Sequence, residues 1–179
     1  MRIVGLKSVD KYILNINSDD VSHRDLLRFI RALAMFVERY AFCITAMEID
    51  IALGSRAHVT GSITIRGIEP DIPSELRRFI TSIESDQILE VYTDLQSITE
   101  DSYYWQVCVY APPHTIPPRS ELEKQFFLSA YESIRYVSVP GNAKLCVISF
   151  TNLHDVVEKL IALIGIENIR SMNIAQHIW

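Results

Sequence analysis

Asp50, His58 and Ser62 fall within one short stretch of the chain. These three residue types can run nucleophilic catalysis, with the histidine taking the hydroxyl proton and the carboxylate orienting the ring. Whether they can meet depends on the element that carries them. From Thr45 to Arg66 the apolar residues alternate, Met47, Ile49, Ile51 and Leu53 on one side of Gly54-Ser55 and Val59, Ile63 and Ile65 on the other, which predicts a β-hairpin. If Ile51 faces Val59, Asp50 faces Thr60 and Glu48 faces Ser62, and all three candidates share the polar face with Thr64 and Arg66. A hydrolase nucleophile ordinarily sits on a strained turn beside oxyanion donors, and a regular ladder supplies neither. The expectation is a solvated sheet face. An enzyme built on His58, Asp50 and Ser62, or on His114 in a proline loop, is the alternative.

Other chemistries lack their residues. His23, His58, His114, His154 and His177 never pair at zinc-binding spacing, and no close Cys pair exists, so no metal site is expected. Six glycines build neither G-x-G-x-x-G nor G-x-x-x-x-G-K-[ST], which removes the usual phosphate cradle and any basis for naming a cofactor. Gly61 inside the second hairpin strand marks a bulge or a close approach. Cys43, Cys108 and Cys146 lie far apart in apolar runs and read as small buried hydrophobes in a reducing compartment.

Charge distribution is more informative. Residues 79–118 contain no Lys or Arg but carry Glu84, Asp86, Glu90, Asp94, Glu100 and Asp101, a charge of −6 in a chain whose total is −5. Within this segment Leu89, Val91 and Leu95 alternate with Glu90, Tyr92, Asp94 and Gln96, and Trp105, Val107 and Val109 alternate with Tyr104, Gln106, Cys108 and Tyr110. A hairpin turning at Ile98–Ser102 would pair Val91 with Val109 and bring Glu90 beside Tyr110 and Asp94 beside Gln106. Its outward face, Glu90, Tyr92, Asp94, Tyr104, Gln106 and Tyr110, is the candidate partner-binding surface. Tyrosine offers contact area at low entropic cost, and carboxylates steer a basic partner. Glu90 and Asp94 would stand roughly 13 Å apart on one strand, too far for a glycosidase pair.

The remaining elements frame these strands. Arg2–Leu6 and Tyr12–Asn17 predict two short strands that end at Ser18-Asp19-Asp20. Ser22 and Asp25 then start a helix with Leu26, Ile30, Leu33, Val37 and Ala41 inward and Arg24, Arg28, Arg31 and Arg39 on a solvated face. Pro70 and Pro73 introduce a second helix with Leu76, Phe79 or Ile80, and Ile83 inward, ending near Ser85. Residues 111–118, with four prolines, form a loop. Glu121–Ile134 predicts a helix, Lys144–Phe150 a buried strand, and Asn152 with Asp155 caps a last helix that stops at Gly165 before a strand over Ile166–Ile174. No internal repeat is visible in the sequence.

These elements give an α+β fold: one domain over residues 1–179, a largely antiparallel sheet built from hairpins, about four amphipathic helices on one face, and one parallel pair from the final strand–helix–strand. With 49% apolar residues and no apolar run long enough to cross a bilayer, a cytoplasmic protein without a membrane partner is expected. The absence of a basic excess argues against direct nucleic-acid binding. The functional expectation is a non-enzymatic protein-binding domain that captures a basic partner, most concretely an immunity or antitoxin-type inhibitor of a nuclease toxin. A secretion-type chaperone is the alternative within the binding class, and a mainly apolar groove would favour it.

Overall fold

The structure, a computed structural model, describes residues 3–93, 104–126, 133–139, 141–149 and 153–177. In chain order these form β1 (Ile3–Val21), α1 (His23–Arg39), β2 (Ile44–Ala52), β3 (Ala57–Arg66), α2 (Ser74–Arg77) and β4 (Ile80–Thr93). They continue as β5 (Tyr104–Ala111), α3 (Arg119–Phe126), β6 (Ser133–Val139), β7 (Asn142–Ser149), α4 (Leu153–Ile164) and β8 (Ser171–His177), with a 3-10 turn at Pro113–Thr115. The fold is α+β. All eight strands form one sheet in the order β4-β1-β3-β2-β8-β5-β7-β6, and every neighbouring pair is antiparallel.

That order contains a repeat the sequence does not display. Residues 3–93 run β-α-β-β-α-β and lie as β4-β1-β3-β2, and residues 104–177 run through the same series and lie as β8-β5-β7-β6. Each half is a split-βαβ, ferredoxin-like unit. The halves join where β2 pairs with β8 and where α1 packs on α4. A single buried cluster runs through both, from Leu14, Phe29 and Leu33 to Val107, Leu145 and Ile174. The expected parallel pair does not form: β7 and β8 run in the same direction, but β5 lies between them.

The hairpin of β2 and β3 has the register its alternation demands, with Ile51 opposite Val59, Asp50 opposite Thr60 and Glu48 opposite Ser62. Gly61 has φ 151°, and a Cβ there would overlap the Glu48 carbonyl oxygen and stand 2.9 Å from the Ile49 Cα, so close backbone approach is what requires glycine.

Three expectations are corrected. The two short N-terminal strands are one, because β1 continues through Lys7–Asp10 by pairing with β4 and passes Ser18–Val21 on a register shift with Asp20 at φ 56°. The second helix is a single turn, and Ile80–Ser85 belongs to β4, whose long ladder with β1 overrides the local helical spacing. The third helix ends within the described residues at Phe126, and Ser133–Val139 is a strand paired with β7.

Candidate functional site

The capping residue Ser22 starts α1 by accepting a hydrogen bond from the Asp25 N–H at 3.1 Å. Leu26, Ile30, Leu33 and Val37 then bury one stripe of the helix against the sheet. A second stripe, Asp25, Arg28, Ala32, Met35 and Arg39, recurs at spacings of three and four residues and lines an open groove of about 760 Å³. The opposite wall is the segment from Asp71 to Phe79, which contains α2. Two backbone contacts hold that wall: the Tyr40 hydroxyl oxygen accepts from the Asp71 N–H at 2.8 Å, and the Phe79 carbonyl accepts from the Asn17 N–H at 3.0 Å. Phe29, Phe36 and Phe79 form the floor and are buried, with the Phe29 and Phe79 rings 4.2 Å apart. Met35 stands out of it, 68% exposed.

Why the groove is open follows from chain length. In the second half, 21 residues separate β7 from β8, enough for the three turns of α4, whereas only 13 separate β3 from β4. Pro70 and Pro73 further limit those thirteen, and one helical turn is all that forms. The position equivalent to α4 therefore holds only the single turn of α2, which packs on α1.

The rim is charged. Arg28 and Arg78 both approach Asp25, at 3.9 and 4.0 Å, while Arg39 meets Asp71 at 3.6 Å, and these guanidiniums are more than half exposed. Arg31 instead straps α1 to α4, donating to the Glu158 carboxylate at 2.8 Å. That hydrogen bond holds the Glu158 carboxyl below the ordinary glutamate value and raises the arginine.

The sequence candidates lie elsewhere. Asp50, His58 and Ser62 do share one sheet face, but each has its own neighbour: Asp50 accepts from Asn173 at 2.8 Å, His58 is paired with Asp19, and Ser62 stands opposite Glu48 and Asn15. His58 and Ser62 are four residues apart on one strand, about 13 Å by strand geometry, so no proton relay joins them. His114 is exposed on its 3-10 turn. Among the described residues no group of three or more His, Cys, Asp or Glu could hold a metal ion.

The acidic hairpin is not formed, because β1, β3, β2 and β8 separate β4 from β5. Glu90 stands opposite Lys7 and Tyr92 opposite Gly5, both on β1. On β5, Tyr104 faces His177, Gln106 lies between Ile148 and Ala175, and Tyr110 lies between Lys144 and Ser171. The Lys144 ammonium sits 5.5 Å from the Tyr110 ring centroid. Asp94 and the turn at Ile98–Ser102 lie outside the described residues. The five described residues thus divide between separated strands, Glu90 and Tyr92 on β4 and Tyr104, Gln106 and Tyr110 on β5. Trp105, Val107 and Val109 are buried, as their alternation predicts. Cys108 and Cys146, facing each other on β5 and β7, form a disulfide, which removes the cysteine argument for a reducing compartment.

The groove residues carried a signal in the sequence. Phe29, Ala32, Met35 and Phe36 extend the apolar surface of α1 well beyond the single stripe that a sheet-facing helix needs.

No protein-family model matches this chain, and no curated protein matches it. Among solved structures the chain is similar to a mutant chlorite dismutase from Candidatus Nitrospira defluvii, with 8% identity over 96% of this chain and 91% of the other, at a TM-score of 0.29. A likeness that weak carries no argument about fold or chemistry. Among the described residues, no helix is long and apolar enough to cross a membrane.

Proposed function

We propose that this chain is a protein-binding domain that holds a segment of another protein in the groove along α1. The observation that carries the reading is the groove left between α1 and the one-turn α2, with an aromatic floor and an exposed Met35, in a sheet whose other half fills the same position with the full helix α4. Methionine at a binding surface adapts to varied apolar partners, and a concave apolar site rimmed by charge suits a segment of chain. This is the mode of a chaperone-type holder, the alternative that a groove favours. No histidine lines the groove, so it offers no general base of the usual kind.

The inhibitor reading retains one support: Glu84 and Asp86 are exposed on the edge strand β4, inside the segment without Lys or Arg. A basic partner held there would dissociate as salt rises.

The test is affinity capture from the native host with the native chain and with Met35→Glu in parallel. The partner held by the native chain should be lost from the variant, whose melting temperature should be unchanged because the side chain is exposed. A partner retained in full by Met35→Glu refutes the groove. One lost instead on Glu84→Lys with Asp86→Lys supports the edge strand.

A further inference from the structure

Resting on the support that Glu84 and Asp86 give a basic partner, and not on the groove, we infer that the outer edge of β4 takes up an extended segment of another protein as a ninth strand. Its residues alternate between lysine or arginine and apolar side chains. No residue of β4 lines the groove. β4 is the last strand in the sheet order and has 14 residues, so an edge about 45 Å long pairs with no described strand. Alternate residues present their backbone N–H and C=O groups along it. Residues 81–87 are all exposed, so neither the helical layer nor any other part of the chain buries this edge. Long edges are ordinarily bulged or interrupted by proline or lysine. β4 contains neither residue, and its ladder with β1 runs without a shift from Gly5 to Asn15.

Register assigns the two faces of the edge. Leu14 is buried in the core and stands opposite Ile83, so Ile83, Ser85, Gln87 and Leu89 share the helical side. There Ile83 is 49% exposed and Leu89 74%, apolar surface left at the margin of the core. Glu84 and Asp86 lie on the other side and are exposed as well. A strand added to this edge would place its side chains directly beside these residues, apolar ones on the first face and cations on the second.

Charge disfavours a second copy as the occupant. Two β4 strands pairing antiparallel about a two-fold axis must match residues of one face, and every such register centred from Glu84 to Ile88 sets two of Glu84, Asp86 and Glu90 directly opposite each other. The same charges favour a cationic strand. From Lys7 to Ile13 on β1 and Ile83 to Glu90 on β4, two lysines stand among the four carboxylates of Asp10, Glu84, Asp86 and Glu90, a charge of −2. Arg66, opposite Lys11, and Glu69, near Tyr12, add one charge of each sign and leave that balance unchanged. Lys11 faces Asp86 and Lys7 faces Glu90, whereas Glu84 faces Ile13. A lysine or arginine beside Glu84 would therefore find a carboxylate with no cation opposite it on β1.

Amide hydrogen exchange read by NMR gives a direct test. The probes are three synthetic peptides of about ten residues: lysine alternating with valine, glutamate alternating with valine, and the lysine peptide with its four central amides N-methylated. At saturation the lysine peptide should slow exchange of the outward amides among residues 83–89 at least about ten-fold, and its affinity should fall at least about five-fold between about 50 and 300 mM salt. The glutamate peptide and the N-methylated peptide should each bind at least about ten-fold more weakly, the first through repulsion and the second for want of ladder donors. Glu84→Lys with Asp86→Lys, both changes at exposed side chains, should reverse the preference for lysine over glutamate. No saturable binding by about 1 mM lysine peptide, or equal affinity for the glutamate peptide, overturns the inference. Protection of residues 83–89 that rises with protein concentration without peptide overturns it in favour of a second copy. If the N-methylated peptide binds as tightly as its parent, the acidic edge still holds a basic partner and the added strand falls.

Discussion

Two substitutions in one groove should separate binding from stability. Met35 and Phe79 line the same opening, but Met35 is 68% exposed and Phe79 only 4%. Full burial of a methionine side chain is worth about 1.5–3 kcal/mol, so covering two-thirds of it gains about 1–2 kcal/mol. Met35→Ala should therefore weaken binding of the segment held in the groove about 5- to 30-fold while moving the stability of the free chain by less than about 0.5 kcal/mol. Phe79→Ala should do the reverse first. Its ring packs 4.2 Å from Phe29, and truncating a buried phenylalanine costs about 3–5 kcal/mol. Urea denaturation gives the stability of each variant, and fluorescence anisotropy of the labelled partner segment gives the affinity. If Met35→Ala unfolds as readily as Phe79→Ala, or leaves the affinity unchanged, the groove is not a binding surface and the reasoning fails.

Further outcomes follow from the fold. Gly61→Ala should destabilise the chain by about 2–3 kcal/mol in urea denaturation, because the added methyl meets the β2 backbone at a φ that alanine avoids. The Glu158 pKa is lowered in the folded chain, so its pairing with Arg31 stabilises at pH above the ordinary value of 4.5 and is lost as pH falls below it. With the pair half-exposed, Glu158→Gln should cost under about 1 kcal/mol at pH 7 and less than that near pH 3, read from melts at the two pH values. Reducing the Cys108–Cys146 disulfide, which closes a separation of 38 residues, should lower stability by up to about 4 kcal/mol in the chain-entropy account, checked by melting with and without dithiothreitol.

What the sequence makes legible is local. The register of Ile51 on Val59 follows from alternation on both sides of a Gly-Ser turn, the Ser22 cap from its spacing to Asp25, and the inward set Trp105, Val107 and Val109 from parity alone. What it hides is the choice of partner strand. Residues 80–93 and 104–111 alternate well enough to pair with each other, but β1 offers β4 a ladder along nearly its whole length, and β5 is taken by β7 and β8. Nearness in sequence favoured the wrong neighbour, and the acidic surface went with it. The groove was hidden for a related reason: Arg28, Arg31 and Arg39 look like an ordinary solvated face until the neighbouring helix is known to be one turn long.

The unequal crossovers have a consequence for engineering the chain. An opening made by a short connection, 13 residues against 21, can be closed by lengthening that connection alone. Inserting about eight helix-forming residues beside Ser74–Arg77 would let the chain supply its own second helix against Ala32 and Met35. Such a variant should gain stability and lose its partner together, a receptor turned into a self-occupied version of itself. The difference between the two states would then be a length of chain rather than a set of side chains.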